Sequence, residues 1–147
     1  MTASTLSRLI VTAIAAGQGF SPIFIDLNRT HATNPLWPGH ARFHLVQQVL
    51  TLFPAALVEL GLLWYPGPAL RARFYLVSLL TATPLAGVLL AVLFRRVYGG
   101  ALHDPNGIQP LRFRFGSRHF ELHGNLLLVI LAAVLLVAAV LIFRSQG

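Results

Sequence analysis

The chain has 147 residues, 56% of them hydrophobic and only 10% charged, with a mean hydropathy of +0.71 and a net charge of +7 from eleven arginines against four acids. A soluble domain carries about 25% charged residues, so this composition excludes a water-soluble fold and points to an integral membrane domain. Cysteine is absent, which excludes disulfides and thiol chemistry. The basic excess does not indicate nucleic-acid binding, because arginine beside apolar spans serves anchoring and orientation and no nucleic-acid motif is present.

Four apolar runs follow one another, roughly Leu9 to Ile25, Leu45 to Leu63, Phe74 to Phe94 and Leu122 to Phe143. Each is near the length a bilayer needs, about 20 residues at about 1.5 Å each. The expected fold class is all-α: a single transmembrane four-helix bundle over residues 1–147, with two long loops on the same side. Residues 1–8 read as a short polar lead into the first span, where Gly17 and Gly19 permit close helix approach. Arg8 ahead of a run with small residues has the form of a signal peptide. A retained helix is expected instead, because three further spans need packing partners.

The loop at about residues 26–39 is rich in turn formers, and Asn34-Pro35 and Trp37-Pro38-Gly39 should make it compact. Trp37 sits where an indole anchors a membrane protein or lines a pocket mouth. The second helix is expected to start near His40. At about 100° per residue, His40, His44, Gln47, Gln48, Thr51 and Glu59 fall within about 120° of arc, one face of the helix. Such a polar face is expected to look into the bundle rather than at lipid. Pro54 removes one backbone bond midway and should bend this helix.

Tyr65-Pro66-Gly67-Pro68 is a short stop, so the second and third helices are antiparallel neighbours. The third carries Ser78, Thr81, Thr83 and an internal Pro84, and Arg95 and Arg96 close it. In the second long loop, about residues 97–118, Leu111-Arg112-Phe113-Arg114-Phe115 alternates apolar and basic residues, as a short strand or a segment lying on the interface would. The fourth helix is expected to begin near Arg118 or His119, and after Asn125 it is unrelievedly apolar to Phe143.

With four alternating spans, all six histidines gather at the long-loop end: His31, His40, His44, His103, His119 and His123. Asp26, Asp104 and Glu121 join them. His40/His44 and His119/His123 both have the spacing HxxxH, which stacks two imidazoles on a helix face. Two such pairs on facing helices could hold one zinc, iron or copper ion. Without a metal, histidine beside a carboxylate is the usual proton-transfer pair near neutral pH. For His31 and His103, in loops, solvation at the headgroup level is the plainer role.

The stretch DLNRTHATNPLWPGHARFH, residues 26–44, together with the helix count and the polar mouth, resembles small four-helix bacterial membrane proteins of the DoxX-like kind. It is also similar to sterol-isomerase-like membrane proteins, whose bundles use histidine and acidic residues on lipophilic ligands. The resemblance implies a helical bundle and a lipophilic ligand, and assigns no catalytic residue.

The expected function is that of a membrane-embedded enzyme acting on a small lipophilic substrate by acid–base chemistry of the isomerisation or cyclisation type. His40, His44, Glu59 and Asp26 are the candidate catalytic residues, and Gln47, Gln48, Thr51, Trp37 and Arg42 the candidate substrate-binding ones. The first alternative is metal-dependent oxidation or hydrolysis with His40, His44, His119 and His123 as ligands. The second is a non-enzymatic carrier or accessory subunit. The expected partners are the bilayer, a small lipophilic molecule and, where an ion path is needed, further copies of the chain. The long loops and their helix ends hold seven arginines against four elsewhere, which places those loops in the cytoplasm and both termini outside, in a bacterial inner membrane.

Overall fold

The computed structural model describes residues 2–146. In chain order it contains α1 (Ala3–Ile25), α2 (Gly39–Trp64), α3 (Leu70–Phe94), β1 (Leu111–Phe115), β2 (Arg118–Leu122) and α4 (Gly124–Arg144). All four helices are long and apolar enough to cross a membrane, and the protein is an integral membrane four-helix bundle with one small antiparallel ribbon.

α1 begins earlier than its apolar run. Thr2 caps it, its Oγ1 accepting the Thr5 N–H at 3.1 Å, so the polar lead of residues 3–8 is helical. α1 packs against α2, α3 and α4 and is the hub of the bundle. Gly19 makes its tightest approach possible: a Cβ there would lie 2.3 Å from the Ala56 Cβ and 3.2 Å from the Leu52 carbonyl oxygen. α2 and α3 continue through Pro54 and Pro84. In α3 the Thr83 hydroxyl donates to the Leu80 carbonyl at 2.7 Å, the group that Pro84, lacking an N–H, leaves open.

The buried core occupies the short-loop half of the bundle. Val11, Ile14, Leu63, Phe74, Val77, Leu136 and Ala139 are buried there, and Phe74 stacks on Phe143 with ring centroids 3.8 Å apart. Arg8 closes this end: its Nε and Nη2 donate to the Leu63 carbonyl at 3.2 and 2.8 Å, and its guanidinium lies 4.0 Å over the Trp64 ring. A cation at the last carbonyls of α2 complements the helix dipole. The Trp64 indole N–H in turn donates to Thr12 Oγ1 at 2.8 Å. In the long-loop half packing thins. No described residue of α3 beyond Leu85, or of α4 before Leu136, is buried.

The start expected for the fourth helix needs correction. Residues 118–122 are a strand, and α4 begins at Gly124 with His123 as its N-cap. The alternation of Leu111–Phe115 repeats in Arg118-His119-Phe120-Glu121-Leu122, a period of two that no helix satisfies. Gly116, at φ 60°, opens the two-residue turn between the strands, the position where a hairpin of this kind requires glycine.

Candidate functional site

The polar stripe of α2 does not assemble as one site. Burial on α2 is centred on Val49, Ala56 and Leu63, which lie about 140–180° round the helix from His40. The small-residue contact of Ala56 with Gly19 sets that direction. His40, His44, Gln47, Gln48 and Thr51 are consequently exposed, and Glu59 alone of the stripe is buried. The expectation that the whole face looks into the bundle is corrected to this one residue. Glu59 follows His44 by fifteen residues, about 22 Å along a helix, so no histidine of α2 forms an acid–base pair with it.

Glu59 lies where three helices meet. Its Oε2 accepts the Thr81 hydroxyl of α3 at 2.7 Å, and the Thr81 carbonyl accepts the Gln18 side-chain amide of α1 at 3.1 Å. Glu59 is 7% exposed and Thr81 wholly buried. Beside them is a cavity of about 320 Å³ lined by Ala15, Gln18, Thr51, Ala55, Glu59, Thr83 and Pro84, among others. Thr51, Ala55, Val58 and Thr83 at its rim are exposed on the outer surface, so the cavity is a groove that opens sideways, toward lipid. Its walls are mostly apolar, and its polar groups are one carboxyl, one amide and two hydroxyls. A mostly apolar lining with a few polar groups is the general make-up of small-molecule sites.

The polar end contains separate small clusters. His40 and His44 face each other, Nε2 to Nε2 at 3.0 Å, in the open. Asp26 faces His31 rather than α2, Oδ1 to Nδ1 at 3.9 Å. Burial raises the Asp26 carboxyl above its ordinary value, and His31 partly offsets this. His31 also meets the Trp37 ring edge-on with centroids 5.3 Å apart. The Trp37 indole donates to Asp104 Oδ2 at 2.9 Å, joining the two long loops. That hydrogen bond, with a second from the Asn106 backbone N–H at 2.8 Å, holds Asp104 below its ordinary value. Trp37 is thus a clasp between loops, a role its sequence position did not suggest. The Arg42 Nε is buried without a hydrogen-bond partner, beside a shallow depression formed with Ala32, Gly39, Phe43 and Val46.

The second histidine pair is also corrected. His119 is in β2 and His123 precedes α4, so they do not share a helix face. His123 stacks instead on His103 at 5.6 Å and lies 3.9 Å from Glu121. Among the described residues, no three His, Asp or Glu side chains group as a metal-ligand set. The sequence places Asp104 at the polar end without a partner and gives Gln18 no role in a site. Gln18 is an amide inside an apolar span, which was a usable signal. Asp104 acts on a residue 67 positions away, which nothing in the local sequence reveals.

Compared with family models, with characterised proteins and with solved structures, the chain matches none. Its class is therefore defined by its own architecture, an integral membrane four-helix bundle with a lateral polar-floored groove.

Proposed function

We propose that this protein takes a small lipophilic molecule from the bilayer into the groove between α1, α2 and α3 and that Glu59 exchanges a proton with it. The observation that carries this reading is the position of Glu59. It is the only buried side chain of formal charge among the described residues, and it borders an opening on the lipid side. A buried intramembrane acid is costly and marks a working site by default. Gln18, Thr51 and Thr83 line the groove; the two hydroxyl protons are given to backbone carbonyls, which leaves the oxygens to accept from a polar group. With no histidine in reach, one carboxyl both gives and takes the proton, as an isomerisation needs. The excess of arginines in the long loops and at their helix ends, seven against four elsewhere, supports a reading in which those loops face the cytoplasm and both termini the outside of a bacterial inner membrane.

The test is to extract and identify the lipophilic molecule that purifies with the protein in mild detergent, then return it to the protein in deuterated water. Wild type should incorporate solvent deuterium into carbon positions of the molecule. Glu59→Gln, which keeps the shape and a hydrogen-bonding group, should lower that rate by about 10²-fold or more. Equal incorporation in both proteins, or none in either, contradicts the reading.

A second reading rests on His40 and His44, whose Nε2 atoms are exposed and 3.0 Å apart. Two imidazole nitrogens at that spacing on one helix face can bind one transition-metal ion. Elemental mass spectrometry should then find metal in chelator-free wild type and none in the double variant H40A/H44A. Equal content in both sinks this reading and leaves the first untouched.

A further inference from the structure

The ribbon between α3 and α4 has a property that the groove does not use. β1 and β2 pair antiparallel in the register Leu111↔Leu122, Arg112↔Glu121, Phe113↔Phe120, Arg114↔His119 and Phe115↔Arg118. Directly opposed residues share a face, and faces alternate along each strand. One face therefore gathers Leu111, Phe113, Phe115, Phe120 and Leu122, with Arg118 at its tip. The other carries Arg112, Arg114, His119 and Glu121. Every residue of both strands is exposed, with Phe113 at 53%, Phe115 at 84% and Phe120 at 52%. A lone two-stranded ribbon is at best marginally stable in water, and a contiguous aromatic patch marks a surface that something covers.

Two observations identify the cover. The first is continuity: β2 ends at Leu122 and α4 begins at Gly124. The first turns of α4 are open apolar surface, with Leu127 at 48% and Leu128 at 64% exposure. The apolar face of the ribbon thus joins, across one residue, a helix that spans the bilayer. The second is charge. The ribbon holds Arg112, Arg114 and Arg118 against Glu121, and Arg95 and Arg96 close α3 at the same end of the bundle. Glu121 is taken up by Arg112, Nε to Oε1 at 3.1 Å, which leaves Arg114 and Arg118 as cationic excess. Apolar side chains beneath arginines match a bilayer surface of anionic phospholipid.

We propose that the ribbon is an interfacial anchor. It lies on the membrane at the long-loop end, its five apolar side chains at the boundary of headgroups and acyl chains and its arginines among anionic phosphates. It thereby fixes where α4 enters the bilayer and how the two long loops sit above it.

The chain has no cysteine, so single spin labels report without a background. Phe113→Cys, Leu111→Cys and Arg114→Cys would each be labelled and reconstituted into vesicles of phosphatidylcholine with phosphatidylglycerol. Power saturation then compares collision with oxygen, enriched in lipid, against collision with a water-soluble nickel chelate. The oxygen-to-nickel ratio should be at least twofold higher at residues 113 and 111 than at 114, with unchanged helical circular dichroism in all three. It should fall at 113 when phosphatidylglycerol is omitted. High nickel access at all three sites would put the ribbon in water and overturn the proposal. Labels at 111 and 113 shielded from both reagents would show a protein surface, such as a second copy, as the cover and overturn it equally. A ratio at 113 independent of phosphatidylglycerol would remove the anionic lipid from the account.

Discussion

The two halves of the bundle are cut from the same four apolar helices, yet α3 and α4 bury Phe74, Val77, Leu136 and Ala139 toward the short loop and no described residue beyond Leu85 or before Leu136 toward the long loops. Between lipid tails, apolarity gives helices no reason to prefer one another, so association rests on shape, small residues and hydrogen bonds between helices. The short-loop half has these. Phe74 stacks on Phe143, Arg8 holds the Leu63 carbonyl, Trp64 bonds to Thr12, and Glu59 and Gln18 meet at Thr81. In the long-loop half α1 and α2 still meet, at Gly19 with Ala56 and at Phe20 edge-on to Phe53, while α3 and α4 present leucines that lipid satisfies equally well, and a further cross-link is made outside the spans, by Trp37 and Asp104. The groove lies where the packed half gives way to the open one, and a lipophilic molecule entering there need not disrupt the core.

The largest expected effect tests this contrast. Phe74→Ala removes a wholly buried ring and should cost about 3 kcal/mol, whereas Leu90→Ala, at a site 53% exposed, should stay within about 0.5 kcal/mol. Denaturation in mixed micelles would compare them, and equal losses would erase the distinction between the halves. Gly19→Ala comes next. Its new methyl would meet Ala56, and forcing α1 from α2 should cost about 1–3 kcal/mol, together with a change in labelling of single cysteines at Thr51 and Thr83 on the groove rim.

The smallest effects lie in the polar loops and depend on pH. Asp104 is held below its ordinary value of 3.8, so its contribution is present above about pH 4 and is lost as pH falls through the folded value. Asp26 is raised above 3.8, so its contribution is complete below that value and is lost as pH rises through the folded one. The two carboxyls thus pull in opposite directions at one end of the bundle. In Trp64→Phe, where Trp37 is the remaining indole, emission should shift on acidification below about pH 4. Asp104→Asn should abolish the shift. Asp26→Asn should raise the melting temperature near neutral pH, with no such gain at acid pH.

The fold was largely legible in the sequence because a bilayer imposes its thickness on each span. Four apolar runs gave four helices, and the boundaries erred where local chemistry intervened. Thr2 extended α1 through the polar lead, and the period-two pattern of residues 118–122 became a strand where a helix start was expected. That second error was avoidable, since Arg118-His119-Phe120-Glu121-Leu122 repeats the alternation of residues 111–115 across a glycine. The site was half legible. Periodicity located the α2 stripe and the unusual Glu59. It could not say which way the stripe faces, because Gly19 of another helix decides that through Ala56. The histidines therefore ended outside and the acid inside.

The most direct test of the account is to fill the groove without touching its polar floor. Ala55 lines the cavity at an exposed rim position, so Ala55→Trp should leave the buried core and the Glu59–Thr81 bond in place. The measurement is native mass spectrometry of molecules retained by wild type and variant after purification in mild detergent. The account predicts one lipophilic molecule per chain on wild type, and loss of that molecule from Ala55→Trp with helical content and melting temperature unchanged. The same molecule on both proteins at the same occupancy, or a wild type carrying only bulk bilayer lipid, would contradict it.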